Sequence, residues 1–413
     1  MLLLTQCAAC ATELGLSLGK KCGRCSTRYC GAACQVQHWK EGGHDQLCKQ
    51  IKRAGGAEQF YANKKYTEAV AVAAEACAED TRGQTCYICT QALHWKTKEG
   101  LVRGCACRGT AGFAHVSCLV EQAKILVAEA EENNLDDNDF NTKWRRWDKC
   151  SMCEQWYHSG VACALGWACW KTYVGRPEAD WPRRLAIEVL GNGLSAAAHY
   201  DDALPVREAE LAMRRRLGDP EENILNTQSN LATTYARHGR MEQALRLRED
   251  VYSGTLRLHG DEHRDSLMEA NSYAYSLITL KRFAKAKTLL RKTLPVGRRI
   301  LGDSNETTLR LRWNYADALC QDPGATLDDL REAVMTLEDT ARIARRVLGG
   351  THPHTAGIEG ALRDARTVLR THEAEATEAA AQDAFRTARV KLAQERSELA
   401  GALADMRVAD EKG

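Results

Sequence analysis

The stretch NLATTYARHGRMEQAL, residues 230–245, returns 42 residues later as SYAYSLITLKRFAKAK, residues 272–287, with Ala232 over Ala274 and Ala244 over Ala286. The turns keep the same step. RRLGDPEENIL, RLHGDEHRDSL and RILGDSNETTL place Gly218, Gly260 and Gly302, then Leu225, Leu267 and Leu309, at equal intervals. A further copy, RVLGGTHPHTA (346–356), arrives five residues late. The expected insertion is QDPGATLDD (321–329), where Pro323 and Gly324 break a helix-to-helix turn. An earlier copy, LGNGLSAAAHYDDAL (190–204), precedes the first by 41 residues. Each unit reads as two amphipathic helices with small alanines where they cross. One such pair cannot bury its own apolar face, so stacked neighbours must create the core.

This pattern resembles tetratricopeptide repeats of the long, kinesin-light-chain type, and LGGTHPHTA is particularly close to it. The repeats are expected over 185–372, at least three full copies and a partial fourth. The resemblance implies a concave groove that takes peptide segments. Asparagines on the first helix of a repeat are among the family's contacts, and Asn230 and Asn314 match those positions. The bland alternative is a purely structural spacer. The segment 373–413, rich in Ala, Glu and Arg, is expected to be a long exposed helix or a helix capping the last repeat.

The front of the chain carries different chemistry. Seventeen of the 18 cysteines lie before residue 170, and only Cys320 follows. Such sulfur can be a disulfide framework, a redox centre or a metal cage. The opening Met-Leu-Leu-Leu is too short for a signal-peptide core. No apolar run approaches the roughly 18 residues that cross a bilayer. The chain therefore reads as soluble and intracellular, cytoplasmic or nuclear, where thiols stay reduced and disulfides are disfavoured. Four spaced pairs stand in the first cluster: Cys7-x2-Cys10, Cys22-x2-Cys25, Cys30-x3-Cys34 and His44-x3-Cys48. A two-residue gap lets one tight knuckle present two thiolates to one zinc ion. The three-residue gaps suit a helical turn, since residues four apart share a face. Eight ligands make two ions.

Residues 7–48 closely resemble the MYND zinc finger, including Tyr29-Cys30, Cys34-Gln35 and His38-Trp39. The resemblance implies interleaved ligands. One zinc takes Cys7, Cys10, Cys30 and Cys34; the other takes Cys22, Cys25, His44 and Cys48. His38 sits where the family has a non-ligand histidine. The family's role is to bind short peptides, often containing proline, on partner proteins.

A second cluster has other numbers: Cys86-x2-Cys89, Cys105-x-Cys107, His115-x2-Cys118 and Cys150-x2-Cys153. The one-residue gap and the seven residues between Cys107 and His115 separate it from a PHD finger. It resembles the RING-CH (RING-variant) finger, with CRGTAGFAHVSCL strengthening the likeness. The resemblance implies one ion on Cys86, Cys89, His115 and Cys118, and another on Cys105, Cys107, Cys150 and Cys153, so that four zinc ions per chain are expected in all. It also implies ubiquitin-ligase activity, in which the finger docks a ubiquitin-conjugating enzyme and works by proximity and orientation alone. The docking candidates are Ile88 and Trp147 or Trp144; packing in a small core is the alternative for the tryptophans.

This finger, with a C-terminal helical flap at 156–170, is expected over 84–172. Its acidic stretch EAEENNLDDND (129–139) is read as extending a helix begun near Val116 and then looping out, solvated. Cys163 and Cys169 fall outside the eight ligands and read as buried thiols. The stretch 55–80 between the fingers reads as a helical hairpin with Cys77 on its alanine-rich face.

The fold expected for the whole chain is mainly α: two small cross-braced binuclear zinc fingers followed by an α-solenoid. Its formal net charge of +2 supplies no basic field for nucleic acid, and no Arg/Lys reading helix appears. No phosphate-cradling glycine loop, nucleophile elbow or HExxH is present. A MYND-bearing lysine methyltransferase is disfavoured because 119–185 is too short for its catalytic domain. The expected function is a zinc-binding adaptor working as a RING-CH-type ubiquitin ligase, the alternative being a non-catalytic zinc-finger and repeat scaffold.

Overall fold

A computed structural model describes residues 6–15 and 18–410; the Met1–Thr5 stretch weighed as a signal core lies outside them. The chain divides into two compact units, residues 1–251 and 252–413.

The first unit opens with a two-residue antiparallel pair, β1 (Lys20–Lys21) and β2 (Arg28–Tyr29), and two short helices, α1 (Ala32–Lys40) and α2 (His44–Arg53). Then comes α3 (Ala57–Ala76), a single helix and not the expected hairpin. No Gly or Pro interrupts 57–76, and twenty residues hold only one helix of ordinary length. The acidic stretch also differs from expectation. The helix α4 (Val116–Glu132) stops at a turn in which Asn134 takes φ +47°. Asp136 then caps a new helix, α5 (Asp137–Trp144), by accepting from the amides of Asn138 and Asp139. Phe140 and Trp144 pull that helix inward, so its charges line one face of a packed element.

The expected flap is the most enclosed helix of the unit. From Val161 to Trp170, α6 (Ser159–Tyr173) is buried at nearly every position, packed between α3 and α7 (Trp181–Ala196). Alanine and glycine make that enclosure possible. A Cβ placed on Gly193 would lie 2.4 Å from the carbonyl oxygen of Ala162, and one on Gly166 would lie 3.1 Å from the Cα of Leu190. The second cysteine cluster is thus carried as an insertion between two neighbouring helices, α3 and α6. One contiguous core runs from Ala62 of α3 through that cluster and α6 to Met213 of α8 (Tyr200–Leu217). Beyond it, α9 (Glu221–Arg237) packs on α8, and α10 spans Met241–His259.

The second unit contains α11 (Arg264–Thr279), α12 (Phe283–Leu301), α13 (Glu306–Cys320), α14 (Leu327–Leu348) and α15 (Pro353–Asp410), each packed on the next. The repeat period has a visible cause. Gly218, Gly260, Gly302 and Gly349 end every second helix, α8, α10, α12 and α14, with φ between +69° and +88°, a conformation that side chains with a Cβ resist. Ala232, Ala274 and Ala316 are fully buried, as are Ala244, Ala286 and Ala333 to within 1%. The last of these steps is five residues longer, which places the insertion in the turn between α13 and α14. There Thr326 and Asp329 form a reciprocal capping box that restarts the helix. From Ala374 to Gly401 every side chain of α15 is exposed.

Burial of Asp317 on α13, with Asp364 of α15 adding like charge, raises its carboxyl from 3.8 to about 7. The folded unit therefore holds this proton more tightly than the unfolded chain. The contribution to stability is full below the ordinary carboxylate range and is lost as pH rises through about 7. Asp317→Asn should stabilise the protein by about 1–2 kcal/mol at roughly pH 8 and by much less near pH 5. Scanning calorimetry at both values checks this; an equal gain at both would contradict it.

Candidate metal centres

Four groups of sulfur and nitrogen donors converge, each with its ligand atoms within 4.8 Å of one another. They are Cys7, Cys10, Cys30, Cys34; Cys22, Cys25, His44, Cys48; Cys86, Cys89, His115, Cys118; and Cys105, Cys107, Cys150, Cys153. Local backbone builds them. At each of the four Cys-x2-Cys gaps the amide after the turn donates to the carbonyl of the first cysteine: Ala11 to Cys7, Ser26 to Cys22, Thr90 to Cys86 and Glu154 to Cys150. Those four donors all adopt positive φ, between +54° and +63°, although none is glycine. Such a backbone costs about 1–2 kcal/mol per residue and persists where something else overdetermines it. Of the other ligands, Cys34 rides on α1, His44 and Cys48 on α2 and Cys118 on α4, while His115 caps α4 and Cys30, Cys105 and Cys107 lie in loops.

The donors fit zinc. Zn–S bonds of about 2.3 Å at tetrahedral angles set sulfur–sulfur edges of about 3.8 Å. Here Cys10 and Cys30 stand 3.6 Å apart, Cys22 and Cys48 3.9 Å, Cys107 and Cys150 3.8 Å. His115 turns Nδ1 toward the thiols, 3.3 Å from Cys89 and 3.7 Å from Cys118, and its Nε2 lies 3.4 Å from the Ala92 carbonyl. A proton on Nε2 donated to that carbonyl leaves the Nδ1 lone pair for the metal. His44 presents Nε2 instead, 3.4 Å from Cys25. Burial lowers the pKa of both imidazoles, favouring the neutral form that ligates. Desolvation and the neighbouring thiols push Cys48 up to about 12, and burial above all pushes Cys105 up to about 11. Crowded thiols resist ionising together unless a cation stands among them.

Supporting residues escaped the sequence reading. The hydroxyls of Thr12 and Thr27 lie 3.0 Å from Cys10 and Cys25. Gly112, at φ +82°, leaves a cradle that a Cβ would fill, 2.6 Å from Cys107 Cβ and 3.2 Å from Cys105 Sγ. Glu99 accepts from the Ser117 amide and hydroxyl at the start of α4, 2.6 and 2.9 Å away. None of these carried a signal, because Thr, Gly and Glu acquire such roles only once the knuckles fold. His38 stands outside both donor sets, stacked on His44 at 5.2 Å with Nδ1 3.0 Å from the Tyr29 hydroxyl. Cys163 and Cys169 are buried in α6 and belong to no donor group.

The docking candidates separate. Ile88 is 38% exposed, and Leu93 and Trp95, a few residues further along the chain, are exposed as well. Trp144 and Trp147, at 5% and 1%, pack against Tyr173 and are withdrawn from any surface shelf. They point inward because α5 and the short turn after it fold back on α6, which no local pattern announces. Asn314 is buried as well, donating from Nδ2 to the Asn271 side-chain oxygen at 2.9 Å. Asn230 is half-buried on α9.

Helix pairs at a fixed period and paired cysteine knuckles define a helical-repeat protein with cysteine-rich clusters fit to bind metal, and comparison with known proteins identifies one finger and one repeat. Residues 7–48 match the model of the MYND finger, and residues 224–265 that of a tetratricopeptide repeat. Two solved structures of the nearly identical TPR-like repeats of a putative kinesin light chain from Podosopora anserina are 19% and 18% identical. Each comparison covers 56% of this chain and 97% of that one, with TM-scores of 0.39 and 0.40. BtubC (BKLC) from P. vanneervenii is 14% identical over 62% of this chain and 92% of its own, with a TM-score of 0.35. No curated protein matches. Among the described residues no helix is long and apolar enough to cross a membrane.

Proposed function

We propose that this chain is a zinc-dependent adaptor that joins partner proteins, taking peptide segments on its MYND finger and on its repeats. The observation that carries this reading is the pairing of a MYND match with a tetratricopeptide match in one chain, each module belonging to a type that recognises peptides. Four zinc ions per chain complete it, held by the four donor groups, in a reducing compartment of the cell. When bound, each ion would cross-link segments distant in sequence, which in the first cluster the sparse apolar residues do not. The residues around the ions do the rest: they fix ligand tautomers, close the knuckles and hold exposed side chains rigid.

A second reading, that the 86–153 finger docks a ubiquitin-conjugating enzyme, is favoured by the exposed apolar residues Ile88, within the Cys86–Cys89 knuckle, and Leu93 and Trp95, which follow it in the chain. One set of experiments tests both. Elemental mass spectrometry of purified chain should find close to four zincs, and an immobilised library of proline-containing peptides should retain the chain through residues 7–48. Adding conjugating enzymes, ubiquitin and ATP should leave ubiquitin unlinked on the adaptor reading. Chain formation that Ile88→Ala abolishes would instead establish the ligase. Zinc-loaded protein that retains no peptide on either module would overturn the adaptor.

A further inference from the structure

Between the second metal cluster and helix α7 lies a cavity of about 310 Å³. Trp147, Trp156 and Tyr157 form its aromatic walls, and Gly193 of α7 is among the small residues that keep it open. One charged group lines it: Asp148, whose Oδ1 is buried and has no hydrogen-bond partner. Burying an acceptor without a partner is costly, and more so for a carboxylate.

Of the three cations that act on Asp148, Arg145 is exposed and the other two are engaged elsewhere. Arg146 pairs with Glu154 at 2.6 Å. Lys149 lies over the Trp156 ring, its Nζ 4.4 Å from the centroid, so that ring already attracts a cation. Arg207, the cation that reaches Asn192 on the opposite wall, divides its guanidinium between that side chain and Glu210. From α7 the other acid near Asp148 is Glu188, which is paired with Arg214 at 2.7 Å. Aromatic walls around a carboxylate favour an alkylammonium, which gains from both ring faces and charge.

We propose that this cavity is a binding site for the ammonium group of a lysine side chain on a partner protein, with the Asp148 carboxylate accepting its N–H and the Trp156 and Tyr157 rings enclosing its methylene stem. A carboxylate acceptor makes the ligand specific: at least one N–H is required, so unmodified, monomethyl and dimethyl lysine qualify and trimethyl lysine does not. The choice of a protein ligand rests on the adaptor reading, but the site itself is separate from the MYND finger and from the repeats matched at 224–265.

The test uses the full zinc-loaded chain with 5-fluorotryptophan incorporated, followed by fluorine NMR near pH 8. The probes are the amide of Nα-acetyl-lysine, its dimethyl and trimethyl forms, and the uncharged norleucine analogue. The lysine and dimethyl probes should shift the Trp156 resonance at millimolar concentrations, and norleucine should not. Asp148→Asn and, independently, Trp156→Ala should weaken lysine binding at least about tenfold. Trp156 is 57% exposed, so its variant keeps the protein testable if the change at Asp148 disturbs folding; zinc content reports that disturbance. Binding of Trp156→Ala is then followed by the Trp147 resonance. Equal response to norleucine, equal affinity for the trimethyl form, or wild-type affinity in both variants would overturn the site. Failure of peptide capture by the MYND finger would leave these shifts in place and would count against the adaptor alone.

Discussion

Cys25→Ser is expected to remove one zinc ion from the chain and to unfold residues 7–53, leaving α7 and the helices beyond it intact. The magnitude follows from what else holds that segment together. Its core contains nine buried residues, four of them cysteines, and only Leu14, Tyr29 and Ile51 are large. Fully burying three such side chains stabilises by about 5–9 kcal/mol in total, before conformational entropy is set against it. A structural zinc in a finger peptide contributes on the order of 10–16 kcal/mol. Cys25 is 1% exposed, so a hydroxyl in its place cannot reach water while the fold persists. Elemental analysis should lose one equivalent of zinc, and limited proteolysis should open the first 53 residues. Cys169→Ser, at an equally buried thiol outside every donor group, should keep the full zinc content. A Cys25→Ser protein that retains all its zinc would defeat the ligand assignment.

Gly193→Ala should cost about 1–3 kcal/mol or more, because its Cβ would fall 2.4 Å from a backbone oxygen on α6 that no rotamer change can move. The helices must separate, and α6 carries Leu165, Trp167 and Trp170 in the core they share. A loss of roughly 2–4 °C in melting temperature per kcal/mol is expected for a unit of this size. Gly175→Ala, where the added methyl meets nothing within 4 Å, is the control and should leave the melting temperature unchanged. If the two variants melt together, the close crossing of α6 and α7 is not a determinant of stability.

The parts of the site legible in the sequence are those governed by short spacing. A two-residue gap constrains two thiols to one knuckle whatever surrounds them, so the donor pairs could be read directly. Which pairs meet was carried by resemblance, and the four donor groups have the expected membership. Exposure was not legible. Ile88, Trp144 and Trp147 are all apolar residues near ligands, yet only Ile88 stays at the surface, because Phe140 and Trp144 stack at 6.0 Å and draw α5 inward. Asn314 matched a groove position by register, while its amide is spent on Asn271 of the preceding repeat.

By itself the sequence determined the helical repeat and its period, through glycines that take positive φ without strain and alanines small enough for the crossings, and it determined the metal-donor pairs. Both signals are local, set by backbone sterics over a few residues. Only the tertiary structure decided that α3 and α6, separated by some eighty residues, pack side by side with the second finger inserted between them. It also decided that the presumed flap is the buried centre of the first unit. The reason is that α6 is apolar around its whole circumference: a helix without a polar face gives no indication of which neighbours will cover it.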